Sequence, residues 1–206
     1  DEVVRLKVIV HVGPKGFQKV GHICFAYDDI VYSYGNYDSD SFHLNQTIGD
    51  GIFFTVPLEK YIPNMISAEN NSIFEYGVYT TSKQNALIEK EIEKIRQNGY
   101  RWYTKIEKED GYDRFSEYEM DYPSRLHYRT GAKLYKVKSG KFHIYWALGD
   151  NCASFTDLVL GTLGADVLSI RGIISPGTYL DWLQKEYLKK NSPVVFRCIY
   201  KKWDSE

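Results

Sequence analysis

Asp150-Asn151-Cys152-Ala153-Ser154-Phe155 reads as the opening of a helix, and the thiol in its first turn decides how the rest of the chain is read. Cys152, Phe155, Leu158, Val159 and Leu163 recur at three- and four-residue intervals, which is one stripe of an α-helix. Asp150 or Asn151 suits the N-cap, and Gly161 or Gly164 supplies a stop. A thiol placed there faces N–H groups without helical partners and the positive end of the helix dipole. Both favour the thiolate, and the same N–H groups can hold an oxyanion. A cysteine in an apolar stripe is also an ordinary core residue, because a free thiol packs like a small hydrophobe. What separates the two is a base.

Gly21-His22-Ile23-Cys24-Phe25 offers one on a strand. Val20 to Tyr27 and Ile30 to Tyr34 form a hairpin closed by Asp28-Asp29. Side chains alternate along a strand, so His22, Cys24 and Ala26 share a face. With a two-residue turn, Cys24 lies opposite Ser33, and Ser33 sits diagonally beside His22. Ser33 is therefore the expected partner of the imidazole, with Asn36 second and Asp38 or Asp40 as further choices. Cys24 shares the His22 face and competes as nucleophile, but a strand interior lacks the helix dipole.

Outward from this pair, Val3 to Val12 is a strand and Gly13-Pro14-Lys15-Gly16 a turn. Gly35 to Gly51 is polar and reads as loop. Ile52 to Leu58 and Ser72 to Thr80 read as strands. Ser82 to Asn98 is a helix with a Thr81-to-Gln84 capping box, a stop at Gly99, and a buried stripe of Ala86, Ile88, Ile92 and Ile95. Tyr100 to Lys141 is rich in tyrosine and charge and reads as an insertion. Ser175-Pro176-Gly177 introduces a helix over Thr178 to Leu188, and Pro193 to Lys201 closes as a strand holding Cys198.

Composition bounds the class. The 206 residues suit a single domain, 1–206, with 100–141 as the insertion. A net charge of −1 without a basic block argues against nucleic acid as a partner. Three cysteines without a Cys-x-x-Cys pair, and five scattered histidines, support neither a disulfide framework nor a metal site. No apolar run is long enough to span a bilayer. The 18 tyrosines suit half-buried sheet faces and cleft walls.

In this order of elements the chain resembles the circularly permuted papain-like superfamily, which includes permuted relatives of NlpC-type cell-wall peptidases, PPPDE isopeptidases and lecithin:retinol acyltransferase-like proteins. The residues that carry the likeness are Gly21-His22, the hairpin ending Tyr32-Ser33-Tyr34-Gly35, the capped helix from Ser82, Asn151-Cys152-Ala153-Ser154-Phe155, and Ser175-Pro176. Tyr145, with Leu148 and Asn151-Cys152 behind it, matches a Tyr-x-x-Leu-x-x-Asn-Cys run of bacterial members. The resemblance implies an α+β fold in which an antiparallel sheet packs on the helix carrying Cys152. It also implies a cofactor-free hydrolase. Cys152 is then the nucleophile, His22 the base and Ser33 its orienting partner, with Tyr145 and Asn151 supporting the oxyanion. Ser33 departs from the family, which uses His, Asn, Asp or Glu there.

The leading expectation is a cysteine peptidase or amidase cutting peptide, above all peptidoglycan peptide. Such an enzyme is secreted or held in the cell envelope, with an inhibitor or immunity protein as a further partner; a cytoplasmic setting is the alternative. Three other functions compete: a thiol-based acyl-ester or lipid hydrolase or acyltransferase, a PPPDE-like isopeptidase, and a non-catalytic interaction domain.

Overall fold

Eight strands, each antiparallel to its neighbour, form one sheet in the order Val194–Tyr200, Ser72–Val78, Leu6–Val12, Val20–Tyr27, Ile30–Gly35, Ile52–Pro57, Lys133–Val137 and Gly99–Trp102. The computed structural model describes residues 3–12, 20–109, 116–164 and 175–202. The strands are β1 (Leu6–Val12), β2 (Val20–Tyr27), β3 (Ile30–Gly35), β5 (Ile52–Pro57), β6 (Ser72–Val78), β7 (Gly99–Trp102), β8 (Lys133–Val137) and β10 (Val194–Tyr200). A two-stranded ribbon pairs β4 (Ile48–Asp50) with β9 (Ile144–Trp146). The helices are α1 (Leu58–Ser67), α2 (Ser82–Gln97), α3 (Lys105–Lys108), α4 (Tyr122–Thr130), α5 (Cys152–Leu160) and α6 (Pro176–Tyr187). The turn read at Gly13–Gly16 lies outside the described residues.

Strand alternation sorts the core into two layers. Val8, Val10, Ile23, Phe25, Tyr32 and Tyr34 face α2, α5 and α6. Ile9, Cys24, Ala26, Val31 and Phe54 face α1 and α4. The β2–β3 turn is built as its residues dictate. Asp28 and Asp29 sit at φ 49° and 60°, the left-handed pair that a two-residue hairpin needs. Arg5 grips the Asp28 carboxylate at 2.7 and 2.6 Å, and Lys7 reaches Asp29 at 2.6 Å.

Three expectations change. The polar Gly35–Gly51 stretch is not all loop: it holds a 3₁₀ turn at Ser39–Ser41 and strand β4. A three-residue strand whose partner strand lies almost a hundred positions on, Ile48 pairing with Trp146 and Asp50 with Ile144, has little local signature. Leu58 starts a helix rather than ending a strand. Pro63 lies inside α1 on its exposed side, where the carbonyl left without its donor can turn to water. On α2 the buried stripe is Ile88, Ile92 and Ile95, and Ala86 is exposed. Two residues before Ile88, it lies about 200° around the helix.

Tyr100 to Lys141 joins the main architecture. It supplies most of β7, all of α4 and β8, and its strands extend the sheet beyond β5. Gly51 lets the β4–β9 ribbon close on this scaffold. A Cβ there would sit 1.8 Å from the Phe142 carbonyl, which accepts from the Tyr34 hydroxyl at 2.9 Å.

Candidate active site

Asn151 is the N-cap of α5 and closes a capping box. Its Oδ1 accepts from the N–H groups of Ala153 and Ser154 at 3.0 and 3.1 Å, and its own N–H donates to Ser154 Oγ at 2.9 Å. Its side-chain amide also donates to the Ala147 carbonyl at 3.0 Å, tying α5 to the turn after β9. Cys152 is thereby fixed as the first helical residue, and it is buried.

Where its sulfur lies follows from the sheet. The two-residue turn makes Tyr27↔Ile30 and Phe25↔Tyr32 hydrogen-bonded pairs, so an unbroken ladder would join Ile23 to Tyr34 next. Pairing of β2 with β3 ends at Phe25↔Tyr32, although β2 continues alongside β1 and β3 alongside β5. The seam opens there, and the Ile23 N–H faces the Cys152 sulfur instead. The N–H groups of Cys152 and Ala153 also point at that sulfur.

His22 directly precedes Ile23, on the opposite face. Its Nε2 lies 2.6 Å from Ser33 Oγ, the diagonal contact expected from the hairpin. Ser33 Oγ in turn lies 3.2 Å from the Tyr37 hydroxyl. Among the described residues Nδ1 makes no hydrogen bond. A base working through Nδ1 carries its proton on Nε2, and Ser33 Oγ accepts the hydrogen bond from that N–H. No sulfur–imidazole hydrogen bond is present among the described residues.

A second polar pair braces the ring. His11, across from His22 on β1, meets it edge-on with centroids 5.1 Å apart. The Tyr61 hydroxyl bonds His11 Nε2 at 2.8 Å, and the Cys24 thiol donates to that hydroxyl at 3.7 Å. Cys24 is thus absorbed into the α1 face, and burial pushes its thiol up to about 12. Burial pushes His22 down to about 4, and burial with the charge of His22 holds His11 well below the ordinary imidazole range. Burial also raises the Cys152 thiol, opposed by the three N–H groups around it. A thiol depressed by the helix terminus is therefore not what the free chain holds: desolvation outweighs the dipole.

Tyr145 turns inward from β9, its ring 5.8 Å from that of Tyr34. Burial and the neighbouring Cys152 raise its hydroxyl to about 12, so it stays a donor at neutral pH. The other expected partners of His22 are engaged elsewhere. Asn36 donates to the Gln46 carbonyl, Asp38 pairs with Lys136 at 2.8 Å, and Asp40 lies 3.8 Å from Lys105. His11, Tyr37 and Tyr61 were not singled out from sequence. His11 had a signal, since it falls on the same alternation as the buried Ile9. Tyr37 and Tyr61 come from a loop and from the unforeseen α1, and had none. Among the described residues no group of three His, Cys, Asp or Glu side chains can hold a metal, and no helix is long and apolar enough to cross a membrane.

Set against protein-family models, curated proteins and solved structures, the chain matches none of them.

Proposed function

We propose that the chain is a cysteine hydrolase that cleaves an amide bond in a peptide, with peptidoglycan peptide the first substrate to try and the cell envelope or exterior the corresponding setting. One observation carries this: Ser33 holds Nε2 of the His22 imidazole at 2.6 Å, Nδ1 makes no hydrogen bond among the described residues, and the N–H of the adjoining residue, Ile23, meets the Cys152 sulfur.

The resting pair is a neutral thiol and a neutral imidazole, since burial acts against both charges. As sulfur attacks the carbonyl carbon, its proton passes to Nδ1. The oxyanion is received by the Cys152 backbone N–H and by the Tyr145 hydroxyl. The imidazolium then protonates the leaving nitrogen, the C–N bond breaks, and a thioester remains on Cys152. Water, giving a proton to Nδ1, hydrolyses it to a carboxylic acid and restores the thiol. Ser33 and Tyr37 hold the ring through hydroxyls alone. They fix its tautomer without the charge that a carboxylate would add.

A second substrate class has its own support. Leu44, Ile144, Trp146 and Leu148 are exposed on or next to the β4–β9 ribbon, just ahead of the nucleophile helix, and such a rim suits an acyl chain or lipid surface. One experiment separates the two. Offered peptidoglycan and, separately, phospholipid or acyl-ester micelles, the wild type releases new amines from the first, and Cys152→Ala does not. Fatty acid from micelles that disappears in Cys152→Ala, with no new amines, selects the lipid reading. Activity that survives Cys152→Ala overturns the thiol mechanism altogether.

A further inference from the structure

A carboxylate beside an imidazole only accepts, so it draws the ring proton to its own side. A hydroxyl both donates and accepts, and it can hold either tautomer. At Ser33 the outcome turns on where the single hydroxyl hydrogen goes. His22 can act as base through Nδ1 only while that hydrogen is committed elsewhere and Ser33 Oγ accepts from Nε2–H.

The groups on the α1 face form a chain leading away from Ser33. Its Oγ faces the Cys24 sulfur. The Cys24 thiol donates to the Tyr61 hydroxyl at 3.7 Å, and that hydroxyl lies 2.8 Å from His11 Nε2. Ser33, Cys24 and Tyr61 are fully buried. Each of these three has one hydrogen to give. With the thiol hydrogen on Tyr61, the tyrosine hydrogen goes to His11 Nε2, and the sulfur is left to accept from Ser33. Ser33 Oγ then takes the Nε2–H of His22, with the Tyr37 hydroxyl as a further donor at 3.2 Å. His11, accepting at Nε2, holds its own proton on Nδ1.

The same chain can run the other way. His11 then donates from Nε2 to Tyr61, the tyrosine to the sulfur, the thiol to Ser33, and Ser33 to Nε2 of His22. The His22 proton moves to Nδ1 and the base is closed. The two directions differ in which hydroxyl serves an imidazole nitrogen: the phenol of Tyr61 in the first, the alcohol of Ser33 in the second. A phenol is much the stronger acid and so the stronger donor, which favours the first. The rings of His11 and His22 meet edge-on at 5.1 Å with no hydrogen bond between them among the described residues, so the chain is the route that couples their protons.

Resting on the thiol-hydrolase reading above, we infer that Cys24, Tyr61 and His11 are positioning residues: through Ser33 they fix which nitrogen of His22 carries the proton, and the two histidines hold opposite tautomers. None of the three takes part in bond making.

Two-bond proton–nitrogen NMR near neutral pH, where burial keeps both rings neutral, reads each tautomer without any turnover. Wild type shows His22 protonated at Nε2 and His11 at Nδ1. Tyr61→Phe removes the link and keeps the ring. His22 then becomes a mixture of tautomers, and kcat for amine release from soluble peptidoglycan fragments falls about fivefold with KM unchanged, as for the loss of one net hydrogen bond. Cys24→Ala does the same. Cys24→Ser, which still donates and accepts, keeps both the tautomer and the rate, and it serves as the test should Cys24→Ala fail to fold. A His22 tautomer that is unchanged in Tyr61→Phe, or wild-type rings protonated at the same nitrogen, overturns the coupling and leaves the hydrolase standing. The expected tautomers, lost in Tyr61→Phe, with no turnover by wild type, keep the coupling and overturn the hydrolase. Opposite tautomers with His22 protonated at Nδ1 overturn both the direction argued from the phenol and Nδ1 as the base.

Discussion

The two faces of the sheet are made from the same strands and serve opposite ends. Toward α5 the side chains are stacked rings. Phe155 lies 5.0 Å from Tyr34 and nearly parallel to it, 6.2 Å from both Phe25 and Phe53, and edge-on to Phe142 at 5.4 Å. Toward α1 the same strands present His22, Ser33, Cys24 and His11, joined through the hydroxyls of Tyr37 and Tyr61. The aromatic face anchors the helix that carries Cys152, and the polar face holds the His22 imidazole. The proposed nucleophile and base come from opposite layers, and the Cys152 sulfur meets β2 where its pairing with β3 has ended. An intact ladder would spend the Ile23 N–H on Tyr34, so the site depends on that broken pairing.

The largest break of this contrast is Phe155→Ala. It empties the centre of the aromatic stack and costs about 3–5 kcal/mol in chemical denaturation, comparable to other buried rings. A loss below about 1 kcal/mol would mean that α5 is held by other contacts. Acid gives the next effect, and it belongs to the polar face. Folding depresses His22 to about 4 from its ordinary 6.5, so the unfolded chain binds the proton first. Stability is full above pH 6.5 and falls as pH drops toward 4, by up to about 3 kcal/mol for this group alone. His11 is also depressed well below its ordinary value and adds to the loss in acid in the same direction. His22→Gln flattens the pH 4–6.5 part of the profile; a wild-type melting temperature level across that window refutes the buried neutral imidazole.

At neutral pH, His22→Gln leaves the fold in place and lowers turnover by about 10²-fold or more, the usual worth of a general base. Full activity would move the base elsewhere. Ser33→Ala gives the smallest effect, about tenfold in kcat, because a hydroxyl orients the ring without stabilising its charge. Ser33→Asn, which can still accept from Nε2–H, recovers part of it. If Tyr37→Phe matches Ser33→Ala, the two hydroxyls act as one chain; no effect from Tyr37→Phe leaves Ser33 as the only support.

The hairpin, its turn, the capping box of α2 and the start of α5 were legible in the sequence because each is set by residues within a few positions. Asp28-Asp29 fits the left-handed turn, Thr81 and Gln84 satisfy each other, and Asn151 caps the residues just beyond it. The His22–Ser33 contact was legible for the same reason, since period-two alternation across a short turn fixes who stands beside whom.

The rest depended on partners distant in sequence. Helix α1 forms around a proline because its inner face finds the sheet, and it brings Tyr61 to His11 across 50 positions. Arg125 fixes Glu69 across 56 positions. The thiol's protonation likewise turned on burial: local chemistry favours the thiolate at a helix terminus, and the packed layers around Cys152 reverse it. Sequence determined the elements and the neighbours that short-range geometry dictates. Only the tertiary structure decided where the ladder opens and which groups lose their water, because both depend on segments brought together by folding.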